Sequence, residues 1–118
     1  MKIAIPTNDK VTVSNSLTEA HWFLIFEFKS EQVTDVNILE NSRYKNSDMR
    51  LNKLFEQLGK LLADCDVIMV HENDPVDSDL LTNNRLKEVR TREGFITNAV
   101  INQNTRMVRY NSNRCCSP

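Results

Sequence analysis

Glycine is almost missing: the 118 residues contain only Gly59 and Gly94. A P-loop needs glycines so that backbone amides can cradle phosphates, and a dinucleotide fingerprint needs three of them closely spaced. Neither motif can be written in this chain, and nor can the G-x-S-x-G elbow of a serine hydrolase. Cysteine is scarce as well. Cys65, Cys115 and Cys116 are odd in number and lack C-x-x-C spacing, which argues against a disulfide framework and against a structural zinc site. The longest apolar run is Trp22 to Phe26, far short of the roughly 20 residues of a spanning helix. The first residues enter a strand-like pattern without the apolar stretch of a signal peptide,. A cytoplasmic protein with no membrane contact is expected.

An excess of positive charge is missing too. Fifteen Lys and Arg stand against 16 Asp and Glu, and Arg106, Arg109 and Arg114 lie in a C-terminal stretch with no acid. Positions 1–105 therefore hold 12 basic against 16 acidic residues. An acidic body offers no broad footprint for a phosphate backbone, so no nucleic-acid partner is expected. What is present is ordinary: 40% hydrophobic and 26% charged residues, the balance of one globular domain,. That domain is expected over residues 1–104, with 105–118 as a C-terminal tail.

Lys2 to Pro6 reads as a short buried strand closed by the polar stretch Thr7 to Lys10,. Residues 11–20 are small and polar and read as a loop. His21 to Phe28 is apolar on both faces, the mark of a central strand,. Ser30-Glu31 reads as a hairpin turn before a third, more amphipathic strand through Val33, Val36, Ile38 and Leu39. Leu51, Leu54, Phe55, Leu58, Leu61 and Leu62 recur at helical spacing, with Ser47 or Asp48 as N-cap,. Val67 to Val70 reads as a buried strand parallel to the first. Asp74-Pro75-Val76-Asp77 carries the signals of a helix start, with Asp74 as cap and Pro75 at the first helical position. Leu86 to Arg90 reads as a charged edge strand, and Phe95, Ile96, Ala99 and Val100 as a last helix.

The order β-β-β-α-β-α-β-α describes an α/β domain with helices packed on a mixed sheet. Right-handed crossovers put strand four beside strand one and predict the strand order 3-2-1-4-5 with about three helices. That is a ribonuclease-H-like outline.

Met1-Lys2-Ile3-Ala4-Ile5-Pro6-Thr7 resembles the M-K-I-A-x-P-T start of the dinitrogenase iron–molybdenum cofactor biosynthesis family, which includes the small NifX-type accessory proteins. The next family motif, V-S-x-H-F-G-x-A-x-x-F, is echoed by Val13, Ser14, Ala20 and Phe23, while Ser16-Leu17-Thr18 replace its His-Phe-Gly core. Asp66 to Val70 is similar to the family's D-V-V-I strand, and Pro75 keeps the proline of its G-x-G-P-N loop. The resemblance covers residues 1–104. It implies a non-catalytic carrier of an iron–sulfur or iron–molybdenum-type cluster, with a cluster donor or acceptor protein as partner. It also implies that Ser16 stands where the family has an imidazole, a better ligand for iron. An interaction or regulatory module that has lost the cofactor site is the alternative.

His21 opens strand two and His71 closes strand four, so the order 3-2-1-4-5 puts both at the C-terminal end of strand one, near Ser16. Ligands of α/β sheets bind there. Ser16, His21 and His71 are the candidate cofactor-binding set, against two unrelated strand-end histidines bonded to backbone or water. Cys65 suits packing. Cys115 and Cys116 are candidate soft-metal ligands, against an ordinary terminal tail. His71, Glu72, Asp74, Asp77 and Asp79 offer the ligands of a hydrolase, against the helix-start role of Asp74 and Asp77. Strand one carries no carboxylate, so nuclease chemistry is not expected.

Overall fold

The computed structural model describes residues 1–41 and 51–102, the side chains of Leu51 and Asn52 excepted. Five strands form one mixed sheet: β1 (Lys2–Thr7), β2 (Trp22–Lys29), β3 (Gln32–Glu40), β4 (Val67–His71) and β5 (Glu88–Thr91). Their order is β3-β2-β1-β4-β5, as the alternation of elements predicts. β1 pairs antiparallel with β2 and parallel with β4, and β4 pairs parallel with β5. The Ser30-Glu31 hairpin has positive φ at both turn residues, 52° and 69°. This is the twist that a two-residue β-hairpin requires.

The sheet is covered on both faces. On one side α1 (Leu51–Leu61) and α2 (Ser78–Asn83) lay Leu54, Phe55, Leu58 and Leu81 onto Ala4, Phe23, Ile25, Ile68 and Val70. On the other, α3 (residues 96–102) sets Ile96, Ala99 and Val100 against Ile3, Ile5 and Met69. Alternation along β1 sends Ile3 and Ile5 one way and Ala4 the other, which is why this short strand is buried from Ile3 to Thr7,. At Gly59 α1 passes close to Asn84, the C-cap of α2. A Cβ there would lie 2.9 Å from the Asn84 carbonyl oxygen, so only glycine permits the approach. Among the described residues no helix is long and apolar enough to cross a membrane.

The start of α2 differs from the sequence reading. Its N-cap is Asp77, whose carboxylate accepts from Asp79 N–H at 2.9 Å. Asp74 and Pro75 lie outside the helix because other partners hold them. The Asp74 carboxylate takes the N–H groups of Leu17 and Val76, and the Arg90 guanidinium binds the Asp74 and Val76 carbonyls. The proposed caps of α1, Ser47 and Asp48, fall outside the described residues. So do the tail and its Cys115 and Cys116.

Candidate functional site

The C-terminal end of β1 gathers two loops, β1–β2 and β4–α2. The first follows β1 and is built around Asp9, whose carboxylate accepts from Val11 N–H, Thr12 N–H and the hydroxyls of Thr12 and Thr7. Hydrogen bonds from the Thr12 and Val11 amides hold its carboxyl down at about 2, because they stabilise the charged form. The turn places Lys10 at φ 67° and carries its ammonium over the Trp22 ring, 4.7 Å from the centroid, a cation–π contact. The chain then runs beside α3, with Val13 N–H on Gly94 O and Ile96 N–H on Val11 O.

Ser16 sits further along the same loop, half-buried. Its N–H donates to Ser14 Oγ at 3.2 Å, and its Oγ lies 3.4 Å from Thr18 Oγ1. Leu17, beside it, is fully buried and anchors the loop in the core. Its N–H donates at 2.7 Å to Asp74 Oδ2. Asp74 is only 6% exposed, so the residue chosen from sequence as a helix cap instead ties the β1–β2 loop to the β4–α2 loop.

His21 stands one residue before the Trp22–Thr7 pair. Its N–H donates to Asn8 Oδ1 at 3.0 Å, and its ring meets the Trp22 ring edge-on at 5.5 Å. The β1–β4 register that pairs Ile3 with Val67 carries His71 level with Thr7. The two histidines therefore flank β1 at one end of the sheet, about two strand spacings or roughly 10 Å apart. The His71 side chain is buried, and its Nδ1 accepts from Asn73 N–H at 3.1 Å. This fixes the neutral ring with its proton on Nε2.

That tautomer decides what His71 can do. A ligating histidine keeps one ring nitrogen for the metal and donates the other N–H to an acceptor. His71 Nδ1 already receives an amide hydrogen, which leaves Nε2–H as a donor rather than a lone pair. Among the described residues no three His, Cys, Asp or Glu side chains come together as a metal-holding group. Cys65 lies half-buried before β4, packed against the α1 core, and burial pushes its thiol up.

Sequence reasoning missed Arg90. On β5 its guanidinium spans the carbonyls of His71, Asp74 and Val76 at 2.9–3.3 Å and pairs with Glu88 at 3.4 Å. An arginine in a short strand reads as edge protection, and nothing local marks it as a clamp on the loop after β4. Asn41 was missed too. It is fully buried and donates its amide to Ala20 O, fixing the entry to β2. A cavity of about 260 Å³ opens beside this end, lined by Met69, Glu72, Thr91, Arg92 and Glu93 among others. Arg92 and Glu72 pair across it at 3.2 Å.

No protein-family model and no curated protein matches the chain. Solved structures do. The crystal structure of the protein PH0822 superposes with a TM-score of 0.64 at 17% identity, covering 85% of each chain. A candidate NifB protein from Thermotoga, of the DUF35 family, gives 0.61 at 18% identity over 89% of this chain and 87% of its own. A candidate dinitrogenase from Methanocaldococcus jannaschii gives 0.59 at 14% identity over 85% of this chain and 84% of that one. At such identities the likeness is one of fold.

Proposed function

We propose that this chain is a non-catalytic accessory protein of the nitrogenase-cofactor type, working by binding at the end of the sheet where β1 and β4 finish. Within that class we assign it a protein-docking role rather than cluster carriage through imidazole ligands. One observation carries the reading: the Asp74 carboxylate sits inside the loop junction and takes Leu17 N–H for itself. Metal–sulfur clusters are rich in sulfide and thiolate and are commonly anionic. A buried carboxylate at the centre of the junction repels such a guest and consumes a donor that would otherwise greet it.

Three further points support the reading. The sequence resembles the cofactor-biosynthesis family at its first strand, and two of the structures sharing its fold are described as NifB or dinitrogenase proteins. The ribonuclease-H-like outline fits that family. The carboxylates that a hydrolase would need are turned onto backbone amides, Asp74 toward Leu17 and Val76 and Asp77 toward Asp79.

Cluster carriage remains the second reading, favoured by the placement of His21 and His71 on either side of Thr7. The two part in one experiment. Anaerobic reconstitution with iron and sulfide, followed by desalting and metal and sulfide analysis, should leave no stoichiometric cluster on the wild-type chain. A retained cluster that is lost in His21→Ala or His71→Ala overturns the docking assignment.

A further inference from the structure

The sheet ends in two edge strands, β3 and β5, and they differ in what guards them. An open edge invites pairing with another segment, and charged side chains are a usual guard. On β3, Asn41 N–H runs inward to His21 O, so alternation points the Val36 N–H outward. The Asp35 carboxylate takes that N–H at 3.0 Å and the Asn37 side-chain amide at 3.1 Å. The middle of β3 is thus capped by its own side chain. β5 has no such cap. Lys87 O and Thr91 O accept from Ile68 and Glu72 N–H, so the same alternation turns the backbone N–H and C=O of Glu88 and Arg90 away from the sheet. Among the described residues nothing is bonded to them. Their side chains are drawn inward: Glu88 accepts from the Ser78 hydroxyl and pairs with Arg90, whose guanidinium clamps the loop after β4.

Beside this bare edge lies the cavity of about 260 Å³, lined in part by Met69, Val89, Thr91 and Arg92. Val89 is the register partner of Met69, so the cavity opens on the α3 face of the sheet. Charge selects the occupant. Residues 85–92 hold Arg85, Lys87, Arg90 and Arg92 against Glu88 alone, a basic run in a chain whose first 105 residues carry more acids than bases. Lys87, just before β5, is exposed and has no ion pair among the described residues. Arg92, just after it, meets Glu72 through Nε and is 89% exposed. A second copy pairing through β5 would bring the same basic run and does not complement it. An acidic segment does.

We propose that β5 takes an acidic, extended segment of a partner protein as a sixth strand, its backbone on Glu88 and Arg90, its acids toward Lys87 and Arg92, and one side chain in the cavity. Main-chain hydrogen bonds then give affinity and the cavity gives selectivity. The inference rests on the docking reading above and supplies the partner's chemistry. The test uses the full chain and a peptide of about nine residues, alternating valine and glutamate with blocked ends, the length of a long strand. Saturable binding is expected in titration calorimetry. N-methylation of the peptide backbone should weaken it at least about tenfold by removing the strand hydrogen bonds. Replacing its glutamates by lysine, or making Lys87→Glu with Arg92→Glu in the protein, should each weaken it about as much by reversing one sign of charge. At saturation, amide exchange at Glu88 and Arg90 should slow at least about tenfold, with Val36 and Ile38 unchanged. No saturable binding, indifference to N-methylation, protection on β3 in place of β5, or equal binding of a short oligothymidylate overturns the proposal. Protection confined to residues 8–20 and 72–76 overturns it too, yet leaves docking at the end of β1 standing. A reconstituted cluster lost in the histidine variants sinks that reading itself.

Discussion

Asp74 Oδ2 accepts the Leu17 N–H at 2.7 Å across 57 positions of sequence, in the buried junction of two loops. The same carboxylate takes Val76 N–H at 3.0 Å through its other oxygen. One side chain thus fixes the loop that carries Ser16 relative to the strand end that carries His71. Losing it leaves a buried amide without an acceptor, a change that costs about 1–3 kcal/mol. Asp74→Ala should therefore destabilise by about 2–3 kcal/mol in urea unfolding. Asp77→Ala should cost only about 1 kcal/mol, the ordinary value of an N-cap. The reverse ranking would contradict the assignment of the two residues.

Asp9 provides a pH handle. Its folded pKa of about 2 lies below the ordinary carboxylate value near 4,. A depressed folded pKa gives a stability contribution present in full above the unfolded pKa and lost as pH falls through the folded one. The stability gap between wild type and Asp9→Asn should hold at neutral pH and close between about pH 4 and pH 2. A gap that stays constant across that window would show that the Thr12 and Val11 amides do not hold the carboxylate.

Ser30 and Glu31 both sit at positive φ, a region that costs L-residues roughly 1 kcal/mol each. Replacing Glu31 by glycine should stabilise the protein by about 1 kcal/mol. Thermal unfolding reads this directly, and a lowered Tm would contradict the turn geometry.

Gly59 should behave in the opposite way. In an exposed helix, glycine to alanine gains about 1 kcal/mol of propensity. Here the added methyl meets a backbone carbonyl at 2.9 Å, so Gly59→Ala should destabilise and loosen the contact between α1 and α2.

Much of the fold was legible because burial leaves periodic marks. Ile3, Ala4 and Ile5 and the run Val67–Val70 are apolar on both faces, and right-handed crossover then leaves little choice of strand order. The placement of His21 and His71 at one end followed from that order. Asp74 was not legible, because Asp-Pro before an acid is a sound helix-start signal. The partner that outbids the helix, Leu17 N–H, is visible only in three dimensions. Arg90 was hidden for the same reason, since its three carbonyl partners sit at the end of β4 and on the loop after it, 14–19 residues earlier. Ser16 was rightly placed in a loop at the sheet end, but nothing in its spacing revealed that Asp74 anchors the neighbouring residue.

The ring nitrogens of His71 test the central claim most directly. Two-bond proton–nitrogen NMR on labelled protein, recorded anaerobically before and after adding iron and sulfide, separates the tautomers and reports ligation. The account predicts a neutral ring protonated at Nε2, with both nitrogen shifts unchanged by the additions. A ring protonated at Nδ1, or Nε2 signals that shift or broaden with the metal while Asn73 N–H is released, would contradict it.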